Sequence, residues 1–378
     1  MSTSNDVLAS TPSAPDVKAA YWYPYEETLV TDGDKKLSAD LIDTSLFTHL
    51  FYSEAELNYV TPKITVSSDF PKFAETLLKK NKESDEVEIL LSVRIKNADD
   101  CTAFGSMIHD PDTRKSFIEE SIVVAREFGF AGLDLDWEYP SNDVEMRDFG
   151  LLLKEWRSAF EHESQATKRR RLRLTAAVFY TPEYKTIRYD VNAIAESVDW
   201  VNLIFYDFYQ PASSLVTAPP AALFVPFNQQ APSGNSGLNE WLRSGLPPNK
   251  AVFGFSYAGW AWTLEDVNNH GYGAPTKGPA ISSNGFITYT AIKKYIDDNG
   301  AAMHHDNDVV GDYCYAGTTW IGYDDNQSIV EKVTYANRNG LRGYFGWHVG
   351  GDHNCGLSRA ANRAWDAAEP ITTTTTTT

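Results

Sequence analysis

Eight short segments of mostly apolar, β-branched or aromatic residues recur along this chain, and helical patterns separate them. They are Val17–Tyr21, Thr48–Ser53, Glu88–Val93, Gly132–Glu138, Arg173–Val178, Trp200–Tyr206, Val252–Phe255 and Gly343–Trp347. Strands that alternate with helices over short connections form right-handed parallel crossovers, and eight such strands are the number that closes a parallel barrel. We therefore predict an α/β fold, a (β/α)8 TIM barrel.

Three of the helical patterns have recognisable ends. Asp112 is positioned to cap a helix that Gly129 would stop, a second helix begins near Asn142, and a third covers Gln327–Asn337 ahead of Gly340. Polar caps and glycine stops are the usual signals of helix ends.

The strand and helix alternation breaks from about Ala258 to Tyr323, in a stretch rich in Gly, Asn, Asp and aromatic residues. Connections this long usually carry structure or a function of their own. We therefore predict a small α+β insertion domain after strand seven, at 258–323, within a barrel formed by 16–257 and 324–368. The polar stretch 1–15 is predicted to be a disordered lead-in, and 369–378, which ends in seven Thr, a tail.

The charge of the chain restricts its partners. The net charge is −18 and the pI is about 4.8, which argues against binding to nucleic acid or to anionic membranes. No apolar run approaches the roughly 18 residues of a membrane span. We predict neither partner, and nothing in the sequence requires more than a monomer. Aromatic residues make up 13% of the chain, a surplus that favours flat platforms for stacking a ligand.

The sequence leaves the compartment open. The stretch from Met1 to Pro15 has no basic or apolar signal region, and three cysteines allow at most one disulfide. We predict an extracellular or vacuolar location if an export signal was trimmed, and a cytoplasmic one otherwise.

The fourth strand segment carries acidic residues at three alternate positions, Asp134, Asp136 and Glu138. Alternate residues of a strand share a face, and close carboxylates raise the pKa of one of them, which keeps a carboxylic acid protonated near neutral pH for proton transfer. A solvated acidic face and a divalent-metal site are the alternatives. The apolar opposite face favours a buried strand, and no His or second acidic cluster nearby completes a metal site, so we predict no metal and no cofactor.

The segment Gly132–Pro140 resembles the signature of glycoside hydrolase family 18, and the chain is most similar to plant class V chitinases. Similar blocks occur at Val201–Tyr209, Gly311–Gly317 and Gly343–His348. The similarity runs from about residue 16 to residue 366. It implies retaining, substrate-assisted hydrolysis of β-1,4-linked N-acetylglucosamine polymers or oligomers, in which the substrate's own acetamido group is the nucleophile.

The same resemblance assigns roles to individual residues. Glu138 would be the general acid/base. Asp136 would hydrogen-bond Glu138 and then turn to the acetamido group of the substrate, Asp134 would support Asp136 through shared charge, and Tyr206 would hold the acetamido oxygen. The substrate-binding residues would be Asp207 beside Tyr206, Trp347 as the apolar floor beneath the sugar, and Tyr21 and Ser92 nearby. We also predict that Arg94 contacts the substrate, although it is not part of the family pattern.

Two departures from the family pattern affect this interpretation. Ala131 replaces the first Asp of the acidic series, and Ser92-Val93-Arg94-Ile95 replaces Ser-x-Gly-Gly in strand three. Glycines there let a sugar approach the backbone, so we expect Arg94 and Ile95 to crowd the glycon side of the cleft. Two other functions therefore stay open, a non-catalytic chitinase-like lectin or inhibitor and a family 18 enzyme with an altered glycoside substrate.

Overall fold

The structure, a computed structural model, describes 16–23, 38–53, 55–81, 87–225 and 231–368, so the predicted lead-in at 1–15 and tail at 369–378 lie outside the described residues. In the described part of the chain, eight parallel strands close a barrel. Each strand pairs with its neighbours along the chain, and the last pairs with the first. The predicted (β/α)8 barrel is confirmed.

The barrel strands differ slightly from the predicted segments. They are β1 (Val17–Trp22), β2 (His49–Tyr52), β3 (Glu88–Ile95), β4 (Gly132–Trp137), β5 (Arg173–Val178), β6 (Trp200–Leu203), β7 (Ala251–Ser256) and β8 (Gly343–Trp347). The pairing of β3 with β4 continues through Arg94 and Ile95, two residues beyond the prediction. The pairing of β6 stops at Leu203, which leaves Tyr206 in the loop at the barrel mouth.

Helices follow most of the barrel strands. In the described ranges they are α1 (Phe70–Asn81), α2 (Ala98–His109), α3 (Pro111–Phe128), α4 (Asp143–Thr167), α5 (Val191–Ser197), α6 (Gly234–Arg243), α7 (Tyr289–Asn299), α8 (Asn326–Arg338) and α9 (Gly356–Ala367). Short 3-10 helices occur at Ala39–Leu41, Thr44–Leu46, Pro248–Lys250 and Val349–Gly351, and two small hairpins pair Ala55–Asn58 with Lys63–Val66 and Glu183–Tyr184 with Ile187–Arg188.

The start of α3 corrects one sequence prediction. Asp110, and not Asp112, caps the helix, because its side chain accepts hydrogen bonds from the backbone N–H groups of Asp112 and Thr113. Pro111 occupies the first helical turn, where no backbone donor is needed. The helix ends at Gly129 with φ of +76°, as predicted, because glycine adopts this left-handed conformation without strain. The predicted start of α4 after Asn142 is also confirmed.

Alternation along the strands separates the two sides of the barrel wall. Along β4, Asp134 and Asp136 face the interior, whereas Leu133, Leu135 and Trp137 pack outward among the apolar residues that cover the barrel. A second apolar group fills the inside of the barrel beneath the carboxylates and includes Val17, Ala19, Phe51, Leu90, Trp200, Val252 and Phe345. The interior acids therefore stand on a dry, closely packed base.

An antiparallel sheet follows β7. Its strands, in spatial order, are Thr276–Pro279, Ala258–Leu264, Thr319–Tyr323, Gly311–Ala316 and Ala302–Asp306, and Phe286–Thr288 also pairs with Ala258–Leu264. Helix α7 connects Phe286–Thr288 to Ala302–Asp306. The sheet packs its own aromatic cluster, in which Trp262, Trp320 and Tyr313 take part. The chain then returns to the barrel through α8.

Two further sequence expectations concern cysteines and membranes. The thiols of Cys101, Cys314 and Cys355, all in described positions, are free. None of the helices in the described segments combines the length and apolar character needed to cross a bilayer.

Candidate active site

Three of the predicted catalytic side chains come from one strand. Asp134 and Asp136 lie on β4 and Glu138 directly follows it, so the two-residue spacing carries all three toward the carboxyl ends of the barrel strands. Asp134 is fully buried and Asp136 nearly so, while 18% of the Glu138 side chain is exposed. The acidic series therefore runs from the barrel interior to the open mouth.

Asp134 is fixed by three hydroxyl groups. Tyr21 Oη and Ser92 Oγ donate to its Oδ2 at 2.9 and 2.8 Å, and Thr175 Oγ1 donates to its Oδ1 at 2.6 Å. The Asn202 amide donates to Tyr21 Oη at 2.9 Å and so orients that hydroxyl toward the carboxylate. Burial raises the pKa of Asp134, and the three hydrogen bonds oppose this by stabilising the carboxylate. Asp134 is thus an anchor beneath the site.

The carboxyl groups of Asp136 and Glu138 lie near the cationic side chains of Arg94 and Lys96. Arg94 Nε lies 3.5 Å from Asp136 Oδ2, Arg94 Nη2 lies 3.7 Å from Glu138 Oε1, and Lys96 Nζ lies 3.8 Å from Glu138 Oε2. Burial, and after it the charge of Glu138, raise the pKa of Asp136 well above its usual value, while Arg94 opposes the shift. The buried Oδ1 of Asp136 has no hydrogen-bond partner in the described part of the protein. It is therefore an acceptor available to a ligand.

Tyr206 and Asp207 lie in the loop after β6. Burial, followed by the negative charges of Glu138 and Asp136, raises the pKa of Tyr206 well above its usual value, so its hydroxyl stays protonated and can donate a hydrogen bond. Asp207 has φ of +60°, and its Oδ1 accepts a 2.8 Å hydrogen bond from Trp260 Nε1 of the insertion. Burial raises the pKa of Asp207, and Lys96 and the Trp260 hydrogen bond favour its carboxylate.

Aromatic side chains form the walls of a cleft above the acids. Trp347 ends β8, and its ring centroid lies 5.1 Å from that of Tyr21. A cavity of about 580 Å³ opens here and is lined by Glu138, Tyr206, Trp347 and further aromatic residues, including Phe179, Tyr180 and Tyr184. A second cavity of about 630 Å³ lies beside it and is lined by Tyr23, Glu56, Thr65, Ser67 and Asn97. Arg94 and Lys96 line both cavities.

All nine residues predicted from the sequence lie at this cleft or directly beneath it. Glu138, Tyr206, Asp207, Trp347 and Arg94 line the cleft. The remaining four lie behind these lining residues: Asp136 beside Glu138, and Tyr21, Ser92 and Asp134 in the hydrogen-bonded group below.

Sequence reasoning missed four residues that complete the site, Thr175, Asn202, Lys96 and Trp260. Thr175 and Asn202 could have been found, because each is a polar residue at an interior position of an otherwise largely apolar strand. Lys96 could have been placed on the same side as Arg94, because it lies two residues later, directly after β3 ends. Trp260 belongs to the insertion, and its contact with Asp207 has no sequence signal.

The expectation that both Arg94 and Ile95 crowd the cleft is wrong for Ile95. Ile95 is fully buried in the core on the outer side of the barrel wall, since consecutive strand residues face opposite sides. Only Arg94 enters the cleft. Within the described ranges, no group of His, Cys, Asp and Glu side chains is arranged to hold a metal ion.

Two neighbouring carboxyl groups, one buried and one partly exposed, lie under an aromatic cleft at the mouth of a (β/α)8 barrel, an arrangement that is typical of enzymes that hydrolyse carbohydrates. Residues 18–352 match glycosyl hydrolases family 18. This chain belongs to that family, and it is a retaining glycoside hydrolase of the class V chitinase type.

Three relatives illustrate the similarity. A class V chitinase from Arabidopsis thaliana is 55% identical over 359 residues, which span 95% of this chain and 92% of the relative. The crystal structure of a class V chitinase from Nicotiana tobaccum in complex with NAG4 is 41% identical, has a TM-score of 0.86, and covers 94% of this chain and 100% of its own. A chitinase-like agglutinin from Robinia pseudoacacia is 38% identical with a TM-score of 0.82, covering 92% of this chain and 99% of its own.

Proposed function

We propose that this chain hydrolyses β-1,4-linked N-acetylglucosamine oligomers or polymers with retention of configuration, and that the acetamido group of the substrate is the nucleophile. The observation that carries the proposal is the Asp136 and Glu138 pair. Asp136 is buried, its pKa is raised, and one of its oxygens lacks a hydrogen-bond partner in the described part of the protein, next to a more exposed Glu138. This arrangement suits a proton donor beside an acceptor for an acetamido N–H group.

In the first step, Glu138 gives its proton to the glycosidic oxygen. The acetamido carbonyl oxygen bonds to the anomeric carbon as the bond to the leaving oxygen breaks, and a cationic oxazolinium forms. Asp136 accepts a hydrogen bond from the acetamido nitrogen and stabilises the positive charge. In the second step, water attacks the anomeric carbon, its proton returns to Glu138, and the ring of the oxazolinium opens.

The other residues position the sugar. The protonated hydroxyl of Tyr206 would donate to the acetamido oxygen, Asp207 would bind beside it, and Trp347 would support the apolar face of the sugar ring. Tyr21, Ser92 and Asp134 would hold Asp136 in place from below. Because one chain supplies every one of these groups, we propose that a monomer is sufficient for activity.

The test follows the anomeric form of the product. Cleavage of an N-acetylglucosamine hexamer, monitored by proton NMR during the first minutes, should release new reducing ends as the β-anomer, which then equilibrates to the mixture. The early appearance of the α-anomer would contradict retention.

A second candidate function is sugar binding without turnover. It is favoured by the relative from Robinia pseudoacacia, which has the same fold and is a chitinase-like agglutinin. Calorimetric binding of the hexamer with no new reducing ends over a day would favour this second function.

A further inference from the structure

Arg94 places a charged guanidinium group in a cleft whose aromatic walls could otherwise stack against a sugar. It lies on β3 opposite Asp136 of β4, and only 12% of its side chain is exposed. Its neighbours Val93 and Ile95 are buried on the other side of the barrel wall. Because consecutive strand residues face opposite sides of the barrel wall, the Arg94 side chain points into the cleft.

The contacts of Arg94 involve both the acids and the aromatic floor. The guanidinium pairs with Asp136 and Glu138 at 3.5 and 3.7 Å. Its central carbon lies 4.3 Å from the centroid of the Trp347 ring and 5.5 Å from that of Tyr23. A guanidinium at this distance covers the face of a ring as a stacked ligand would. A sugar ring cannot stack on the same face of Trp347 at the same time.

The position of Arg94 also divides the cleft. It lines the cavity of about 580 Å³ around Glu138 and also the neighbouring cavity of about 630 Å³ beside Tyr23. An oligomer that places a glycosidic bond at Glu138 must put sugar units on both sides of that bond. Such a chain meets Arg94 where the two cavities adjoin.

We propose that Arg94 is an internal competitor of the substrate: its guanidinium occupies the sugar position over Trp347 and must leave before an oligomer can bind across Glu138. The proposal rests on the proposed function, which supplies N-acetylglucosamine oligomers as the ligand, Trp347 as the support of the sugar ring and Glu138 as the position of the cleaved bond. The guanidinium gives up its contacts with Trp347, Asp136 and Glu138 when it leaves, and the loss of these contacts weakens oligomer binding. Arg94 is therefore a specificity-determining residue of this chain.

The test compares two variants that each remove one positive charge beside Glu138. Arg94→Ala also uncovers Trp347, whereas Lys96→Ala does not, because Lys96 has no ring contact to Trp347 among the described interactions. Both are made in a Glu138→Gln background, in which hydrolysis is blocked, and the Kd for an N-acetylglucosamine tetramer is measured by calorimetry. We expect Arg94→Ala to lower the Kd about tenfold or more, and clearly further than Lys96→Ala does.

Two results would overturn the proposal. One is a Kd for Arg94→Ala that is equal to or higher than that of its parent, in a protein whose thermal melt shows a folded state. The other is a crystal structure of Glu138→Gln with the tetramer in which a sugar occupies the cleft while the guanidinium still covers Trp347. If Arg94→Ala does not fold, Arg94→Gln replaces it, since its shorter, uncharged side chain also releases the ring.

Turnover separates this proposal from the proposed function. With Glu138 intact, Arg94→Ala should lower KM with a smaller change in kcat. Tighter tetramer binding without any hydrolysis by the wild type or Arg94→Ala would support the role of Arg94 and contradict the hydrolytic function. Hydrolysis by the wild type together with an unchanged Kd in the variant would support the hydrolytic function and contradict the role of Arg94.

Discussion

The hydroxyl of Thr175 provides a quantitative test of how Asp134 is held. Thr175 is fully buried, and its Oγ1 donates a 2.6 Å hydrogen bond to Asp134 Oδ1. Thr175→Val keeps nearly the same shape and removes only this donor. A hydrogen bond to a charged group contributes about 1.5–3 kcal/mol to stability. With an unfolding entropy of ~2.1 cal/mol/K per residue over the roughly 330 residues that the structure describes, this loss should lower the Tm by about 2–4 °C.

Thermal melts followed by circular dichroism at pH 7 can resolve such a shift. Thr175→Ser is the matched control, because it loses the methyl group but retains the hydroxyl, and it should stay closer to the wild type than Thr175→Val does. A double-mutant cycle with Asp134→Asn then isolates the interaction between the two side chains, which should couple by about 1–2 kcal/mol. A Thr175→Val protein that melts within about 0.5 °C of the wild type, or a coupling near zero, would refute the assignment of this donor.

Three further outcomes are expected. Glu138→Gln should lower kcat at least ~100-fold and keep oligomer affinity within about tenfold, as measured by kinetics and calorimetry; retained activity would exclude Glu138 as the acid. Asp136→Asn should also lose most activity. It should nevertheless have a higher Tm at pH 7, because burial and Glu138 raise the pKa of Asp136 in the folded protein. The stability that the Asp136 carboxyl contributes is therefore present at acid pH and is lost as the pH rises, and Asn does not ionise. A lower Tm for Asp136→Asn than for the wild type at pH 7 would contradict the predicted direction of the change. Excess EDTA should leave activity unchanged, because no group of His, Cys, Asp and Glu side chains in the described ranges is arranged to hold a metal ion; activity lost and then restored by a divalent ion would revive the metal alternative.

The parts of the fold that depend on short-range pattern could be predicted from the sequence. Buried parallel strands are nearly continuous apolar runs, which is why all eight barrel strands were found and why the even spacing of Asp134, Asp136 and Glu138 placed them on one face. Strand ends were less certain, because they depend on pairing with a neighbour. The extension of β3 through Arg94 and Ile95 exists because β4 continues beside it to Trp137.

The supporting contacts of the site could not be predicted, because they join distant parts of the chain. Asn202 reaches Tyr21 across the barrel, and Trp260 reaches Asp207 from the insertion. Neither pairing leaves a periodic signal in the sequence. The opposite orientations of Arg94 and Ile95 were in principle available from strand alternation, but only once both residues were known to lie within β3.

The position of Arg94 also bears on the proposed chemistry. A guanidinium is a planar cation whose charge is shared over nitrogen and carbon, and it rests here against Trp347 and beside Asp136. The oxazolinium proposed as the intermediate is likewise a planar cation with its charge shared over a nitrogen, a carbon and an oxygen, and it would need the same aromatic face and the same carboxylate. When Arg94 leaves, Asp136 loses a positive charge that holds its pKa down, so the pKa of Asp136 rises further until the oxazolinium supplies a new positive charge. The contacts by which Arg94 blocks the site are thus the contacts by which the site would stabilise its intermediate.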